Sequence, residues 1–219
     1  MPMPVMRSET LRRLLLICGI LAPLLYAAAD AVAGLRWEAY SFRDQTISEL
    51  GAIGAPSRPL FAGLLLFVYL LLAGFGIGVW QAARGRSAIR MAGALILGFA
   101  VLALTAGQAA PMMPRGIEQG IHGTLHLAEG AVAMLAVLAI MGFAACALGS
   151  RFRLYTIATV LVVLAFGAWS AVDAPRLEAG LATPWLGVRE RIFWYAYHLW
   201  FAVLAIRLLR PDPATDEPS

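Results

Sequence analysis

Apolar residues in this chain fall into long runs separated by short polar stretches. Runs of about 20 such residues are long enough to cross a ~30 Å hydrocarbon layer as helix. The pattern predicts spans near 14–34, 60–81, 91–110, 121–148, 154–172 and 192–209. The expected fold is therefore an all-α integral membrane protein, with six transmembrane helices in one bundle over residues 1–210. The polar, proline-rich stretch 211–219 is expected to be a disordered cytoplasmic tail. Arg12, Arg13 and the Ala27-Ala28-Ala29 stretch imitate a secretory signal, but the apolar run is longer than a usual signal core and is expected to be retained.

Composition agrees with that reading. Of 219 residues, 61% are hydrophobic and 14% charged, and the mean hydropathy is +0.77, more apolar surface than a soluble domain could hide. All 17 cationic residues are arginine. They punctuate the apolar runs and form no basic stripe, so nucleic acid is not an expected partner. Cys18 and Cys146 lie inside apolar segments, where they are expected to be small packing residues. Gly74, Gly76, Gly78, Gly93 and Gly98 would let backbones approach closely in the second and third spans.

Charge placement gives an orientation. Ten arginines (residues 7, 12, 13, 84, 86, 90, 151, 153, 207 and 210) fall on one side, which the positive-inside rule makes cytoplasmic. Nine of the thirteen acidic residues lie on the other side or in the adjoining helix ends. The expected location is the inner (cytoplasmic) membrane, multi-pass, with both termini cytoplasmic. Trp37, Trp169, Trp185 and Trp194 are expected to form a belt at the outer boundary.

The reactive side chains gather on that outer side. His122, His126 and His198 lie in the outer halves of the fourth and sixth spans, with Asp30, Glu129 and the polar loop carrying Ser41, Asp44, Ser48 and Glu49. Ionisable groups inside a membrane normally face a bundle interior or a water-filled cavity. In His122-Gly123-Thr124-Leu125-His126-Leu127-Ala128-Glu129, spacings of four and seven place both imidazoles and the carboxylate on one helical face. With His198, three nitrogen ligands plus water would describe an open zinc site, with Glu129 or Glu49 as general base. The alternative is that the histidines hydrogen-bond to neighbouring helices or interfacial water. Glu49, three residues after Thr46, also fits a capping box, and Ser48 as a nucleophile has no partner defined by sequence. Met112 and Met113 could offer sulfur to copper but fit adaptable interfacial packing better. Arg189, Glu190 and Arg191 could clamp an anionic headgroup or snorkel.

Three sets of residues resemble a known family: Ile47-Ser48-Glu49-Leu50-Gly51-Ala52 followed by Gly54-Ala55-Pro56, the Pro114 turn leading to His122-Gly123 and His126, and Gly187 with Glu190-Arg191-Ile192. Their order and spacing are similar to the prokaryotic membrane family catalogued as domain of unknown function 998. The resemblance implies a six-helix bundle and directs attention to Ser48, His122 and His126; it implies no reaction. Where the family often carries Phe-Pro and an aspartate, this chain has Met113-Pro114-Arg115-Gly116, with Glu118 the nearest acid.

Two functional classes follow. One is a metal-dependent intramembrane hydrolase of a lipid or lipid-linked substrate, with zinc on His122, His126 and His198 and with Glu129, Glu49 or Ser48 in catalysis. The other is a non-catalytic accessory subunit of a membrane complex or a lipid-binding scaffold. Membrane lipid is the expected partner in both, with other membrane subunits in the second. Haem ranks third, because His122 and His126 on one helix cannot embrace it from both faces, although His198 with either of them could.

Overall fold

The computed structural model describes residues 3–117 and 120–210. The tail 211–219 and Glu118 lie outside the described residues. All regular structure among them is helical: α1 (Met3–Leu35), a 3-10 turn (Ser48–Gly51), α2 (Arg58–Gln81), α3 (Ser87–Ala109), α4 (Gly120–Ala147), α5 (Ser150–Ala171), the short α6 (Ala174–Glu178) and α7 (Leu186–Leu209). All but α6 and the 3-10 turn are long and apolar enough to cross a membrane. The six-helix architecture expected from the apolar runs is therefore present, and the protein is a multi-pass membrane protein.

Helices follow one another around the bundle, α1 against α2, α2 against α3, α3 against α4, with α7 closing between α1 and α5. α4 and α5 touch only sparsely. A core of Leu16, Tyr26, Leu72, Phe75, Ile96, Trp200 and Phe201 fills the centre. Leu24, Phe67, Leu135, Leu154 and Leu161 stay exposed. That inverted surface is the one a hydrocarbon solvent requires. Glycine explains the closest helix approaches. A Cβ on Gly76 would lie 2.7 Å from the Leu97 nitrogen, one on Gly93 2.5 Å from the Trp80 nitrogen, and one on Gly78 2.9 Å from the Leu16 nitrogen. Gly98, expected to act likewise, has open space beside it.

Two helix ends differ from the sequence pattern. α1 begins before the apolar run, where Glu9 accepts from Arg12 and Arg13 one turn on. α7 begins at Leu186 rather than near 192, so Arg189, Glu190 and Arg191 are helical instead of loop residues. Arg189 and Arg191 each meet an acid from another segment, and Glu190 accepts hydrogen bonds from the first loop, which lowers the penalty that hydropathy assigns to them. The bundle thus has a loop end, carrying segments 36–57, 110–117 and 172–185, and a terminal end, where α1 starts, α7 finishes and the tight turns after α2 and α4 lie.

Candidate functional site

The loop end is built on three buried ion pairs. Arg191 of α7 forks onto Asp30 of α1, at 2.9 and 2.8 Å, and also donates to Phe42 and Gln45 carbonyls and the Tyr40 hydroxyl. Tyr195 donates to the same Asp30. Arg115 forks onto Glu49, at 3.0 and 2.9 Å, and donates to the Thr183 hydroxyl. Arg189 pairs with Asp173 and stacks its guanidinium 5.0 Å over Trp169. The first loop lies directly on α7: a Cβ at Gly187 would collide with the Gln45 and Phe42 carbonyl oxygens. Burial pushes the Tyr40 phenol up, while the Arg43 guanidinium and then the Trp185 N–H hold the Asp44 carboxyl down to about 2.

Glu49 resolves into an anchor. It accepts from the Thr46 N–H at 2.8 Å while its own N–H donates to the Thr46 hydroxyl at 3.2 Å, the reciprocal capping box that the sequence suggested. With Arg115 forked onto the same carboxylate, its oxygens are engaged on several sides. Glu190 is different. It is buried, accepts from the Ile47 N–H and from the Ser48 hydroxyl at 3.3 Å, and has no arginine within ion-pair distance among the described residues.

Ser48 and Glu190 stand at the polar end of an elongated cavity of about 630 Å³ that reaches into the bundle between α2, α3, α4, α5 and α7. Along α2 its wall runs from Arg58 to Tyr69, about 16 Å at 1.5 Å per residue. Phe99, Val137 and Val163 line its deep, apolar part. Leu127 of α4 and Leu164 of α5 line it and are also exposed, which puts its mouth between those sparsely touching helices. Arg58, half-buried in the wall, has no ion pair among the described residues.

The histidines do not gather. His126 lines the cavity with Glu129 and its Nδ1 lies 3.1 Å from the Ala110 carbonyl oxygen. His122, one turn earlier, is exposed and outside the lining. His198 is buried with its ring stacked on Tyr26 at 4.1 Å and Tyr197 at 4.5 Å. Its Nδ1–H donates to the Trp194 carbonyl, and Nε2 is buried without a hydrogen-bond partner. Among the described residues no group of three or more His, Cys, Asp or Glu side chains is placed to hold a metal ion. Common depth along two helices did not bring a common direction. Trp194, expected in the interfacial belt, instead lines the cavity and stacks on Tyr26.

A family model described as "Protein of unknown function (DUF998)" matches residues 20–207, which is most of the chain: the second to fifth spans in full and parts of the first and the last. The chain belongs to this family. No curated protein and no solved structure matches it. The match takes in every side chain of the cavity wall, so the site belongs to the family's own segment of the chain. In the sequence Glu190 reads only as part of a headgroup clamp or family motif, and nothing in the pattern marks Arg58 as a cavity residue. The signal available was an acid between two arginines at the start of an apolar run, and its meaning depended on where each arginine was committed.

Proposed function

We propose that this protein binds a lipid or lipid-linked molecule, taking the hydrocarbon part into the cavity through the opening between α4 and α5. The observation that carries this reading is the cavity itself: about 630 Å³, within the range of small-molecule sites, mostly apolar, with convergent polar groups at one end. Its mouth faces the direction from which a lipid would come. Arg58, Ser48 and Glu190 are placed to meet the headgroup. The orientation belongs to the same proposal: an inner-membrane protein with both termini cytoplasmic and the cavity's polar end on the extracytoplasmic side, supported by the ten arginines of the terminal end. Labelling of single cysteines at the exposed Ala39 and Ala182 from the outer face tests that orientation; labelling at Arg84 instead reverses it.

Gly130 offers a direct test of binding, because it lines the cavity and a Cβ there meets nothing within 4 Å. Native mass spectrometry of the gently extracted protein is expected to show a retained lipid, and Gly130→Phe is expected to remove most of it while the bundle stays folded. A wild-type protein that carries no lipid, or a Gly130→Phe variant that carries as much, defeats the reading.

Hydrolysis of the bound lipid is a second reading, supported by the Ser48 hydroxyl donating to Glu190 at the polar end. The metal-dependent form of it draws on His126 and Glu129, the members of the expected zinc set that line the cavity. Turnover of a fluorogenic acyl ester that Ser48→Ala abolishes would support the serine route. Zinc at one per chain, with turnover lost to a chelator, would support the metal route.

A further inference from the structure

At the terminal end a second, smaller hollow of about 130 Å³ is ringed by Arg12, Arg13, Arg84, Arg86, Arg207 and Arg210, with Glu9 the acidic residue in its wall. Three separate segments supply these arginines, the start of α1, the turn after α2 and the end of α7, while Leu148 of the turn after α4 adds an apolar wall residue. The positive-inside rule requires arginines at one end of a bundle, but it does not require them to face one another across a hollow. Arginines serving only that rule would do so more easily spread apart, since like charges at close range repel.

Among the described residues, the partners present do not balance the ring. Glu9 is shared by Arg12 and Arg13. Arg86 turns back onto the Ala82 and Ala83 carbonyls at the end of α2. Arg84, Arg207 and Arg210 have no ion pair among the described residues. A second feature points the same way. Arg84 sits at φ +44, in the left-handed region where a side chain other than glycine is strained, and Gly85 follows at φ +86. Such strain persists where the surroundings over-determine it and is concentrated at ligand clamps. Here the tight turn is what carries Arg84 into the hollow.

We infer that this hollow is a binding site for a phosphate group, and that its natural occupant is the phosphodiester of an anionic phospholipid. Planar guanidinium forks match phosphate oxygens two at a time, and several forks around one anion replace mutual repulsion with charge-assisted hydrogen bonds. The size suits a phosphate and excludes an acyl chain, so the tails stay in the bilayer beside α1 and α7. Exposed Leu11, Leu14 and Ile206 line the route they would take. The site is separate from the large cavity and does not depend on what that cavity holds.

The test compares the full-length protein in phosphatidylcholine vesicles with and without phosphatidylglycerol, reading the phosphatidylglycerol kept through detergent washing by native mass spectrometry. Wild type is expected to retain it. The Arg84→Gln/Arg207→Gln double variant is expected to bind it about tenfold less, the loss of a charge-assisted contact. Arg151→Gln/Arg153→Gln, exposed at the same end but outside the hollow, is expected to behave as wild type. A parallel arm adds inorganic phosphate. Thermal protection that depends on Arg84 and Arg207 supports the phosphate site and, without phosphatidylglycerol retention, assigns it a soluble ligand. Retention that falls equally in both double variants, or neither retention nor protection in wild type, overturns the inference.

Discussion

At the loop end, Asp30, Glu49 and Asp173 each hold an arginine in a buried pair, whereas at the terminal end six arginines surround Glu9. Charge serves as internal structure in the first case and as an open surface in the second. The difference follows from where the chain can bring opposite charges together. Long segments at the loop end fold back over the helix ends and supply acids and carbonyls from far along the sequence. The turns at the terminal end are too short to fold back, and most of the acids lie at the other end. Burial converts each loop-end pair into a constraint that breaks expensively, because removing one partner strands the other in low dielectric.

The largest effect is expected at Asp30. Asp30→Ala leaves Arg191 buried without its carboxylate and should lower stability by about 3 to 5 kcal/mol, read as unfolding in mixed detergent micelles. Asp30→Ala/Arg191→Met should recover much of that loss, since an apolar replacement of both partners is often tolerated. A single variant as stable as wild type would mean that the pair does not hold the loop end together. A smaller loss, about 2 kcal/mol, is expected for Glu49→Gln, which keeps the side-chain shape and weakens the Arg115 fork. Its signature should be faster proteolysis near Arg115 with the spans intact.

On the other side of the comparison, Arg207→Gln in a neutral lipid should change stability by less than ~0.5 kcal/mol, because that guanidinium is exposed. A loss as large as that of Asp30→Ala would erase the distinction between the ends. The smallest effect is a pH dependence at Asp44. Its carboxyl is held down to about 2 by Arg43 and the Trp185 N–H, below the ~3.9 of an unfolded aspartate. The stability it adds is therefore present above pH ~4 and lost as pH falls toward 2. Asp44→Asn should be less stable than wild type at pH 5, and the two melting curves should converge as acid is added. A gap that is constant down to pH 2 would remove Asp44 from the set of paired acids.

Much of the fold was legible in the chain because a bilayer demands one thing of each span, some 20 apolar residues, and that demand is local. Gly76, Gly78 and Gly93 were legible as close-approach residues for the same reason, although Gly98 shows that a glycine in a span need not serve one. The Thr46–Glu49 box could be read because both partners lie within one turn. Of His122, His126 and Glu129, which their spacing assigns to a common face, His126 and Glu129 line the cavity while His122 is exposed outside it. His198 was not legible. Its depth followed from its position in α7, but its direction, into a stack with Tyr26, depends on how α7 is rotated against α1.

The sequence by itself determined the number of spans, their order, the charge difference between the ends and the family, all of which follow from runs and spacings along one dimension. Tertiary structure alone decided that Arg191 answers Asp30 across 161 positions and Arg115 answers Glu49 across 66. It also decided that Glu190 faces the cavity's polar end without an ion-paired arginine among the described residues, and that six arginines close on one hollow. The reason is azimuth: helical periodicity fixes which residues share a face, while the rotation of each helix against its neighbours emerges only from how all the side chains fit together.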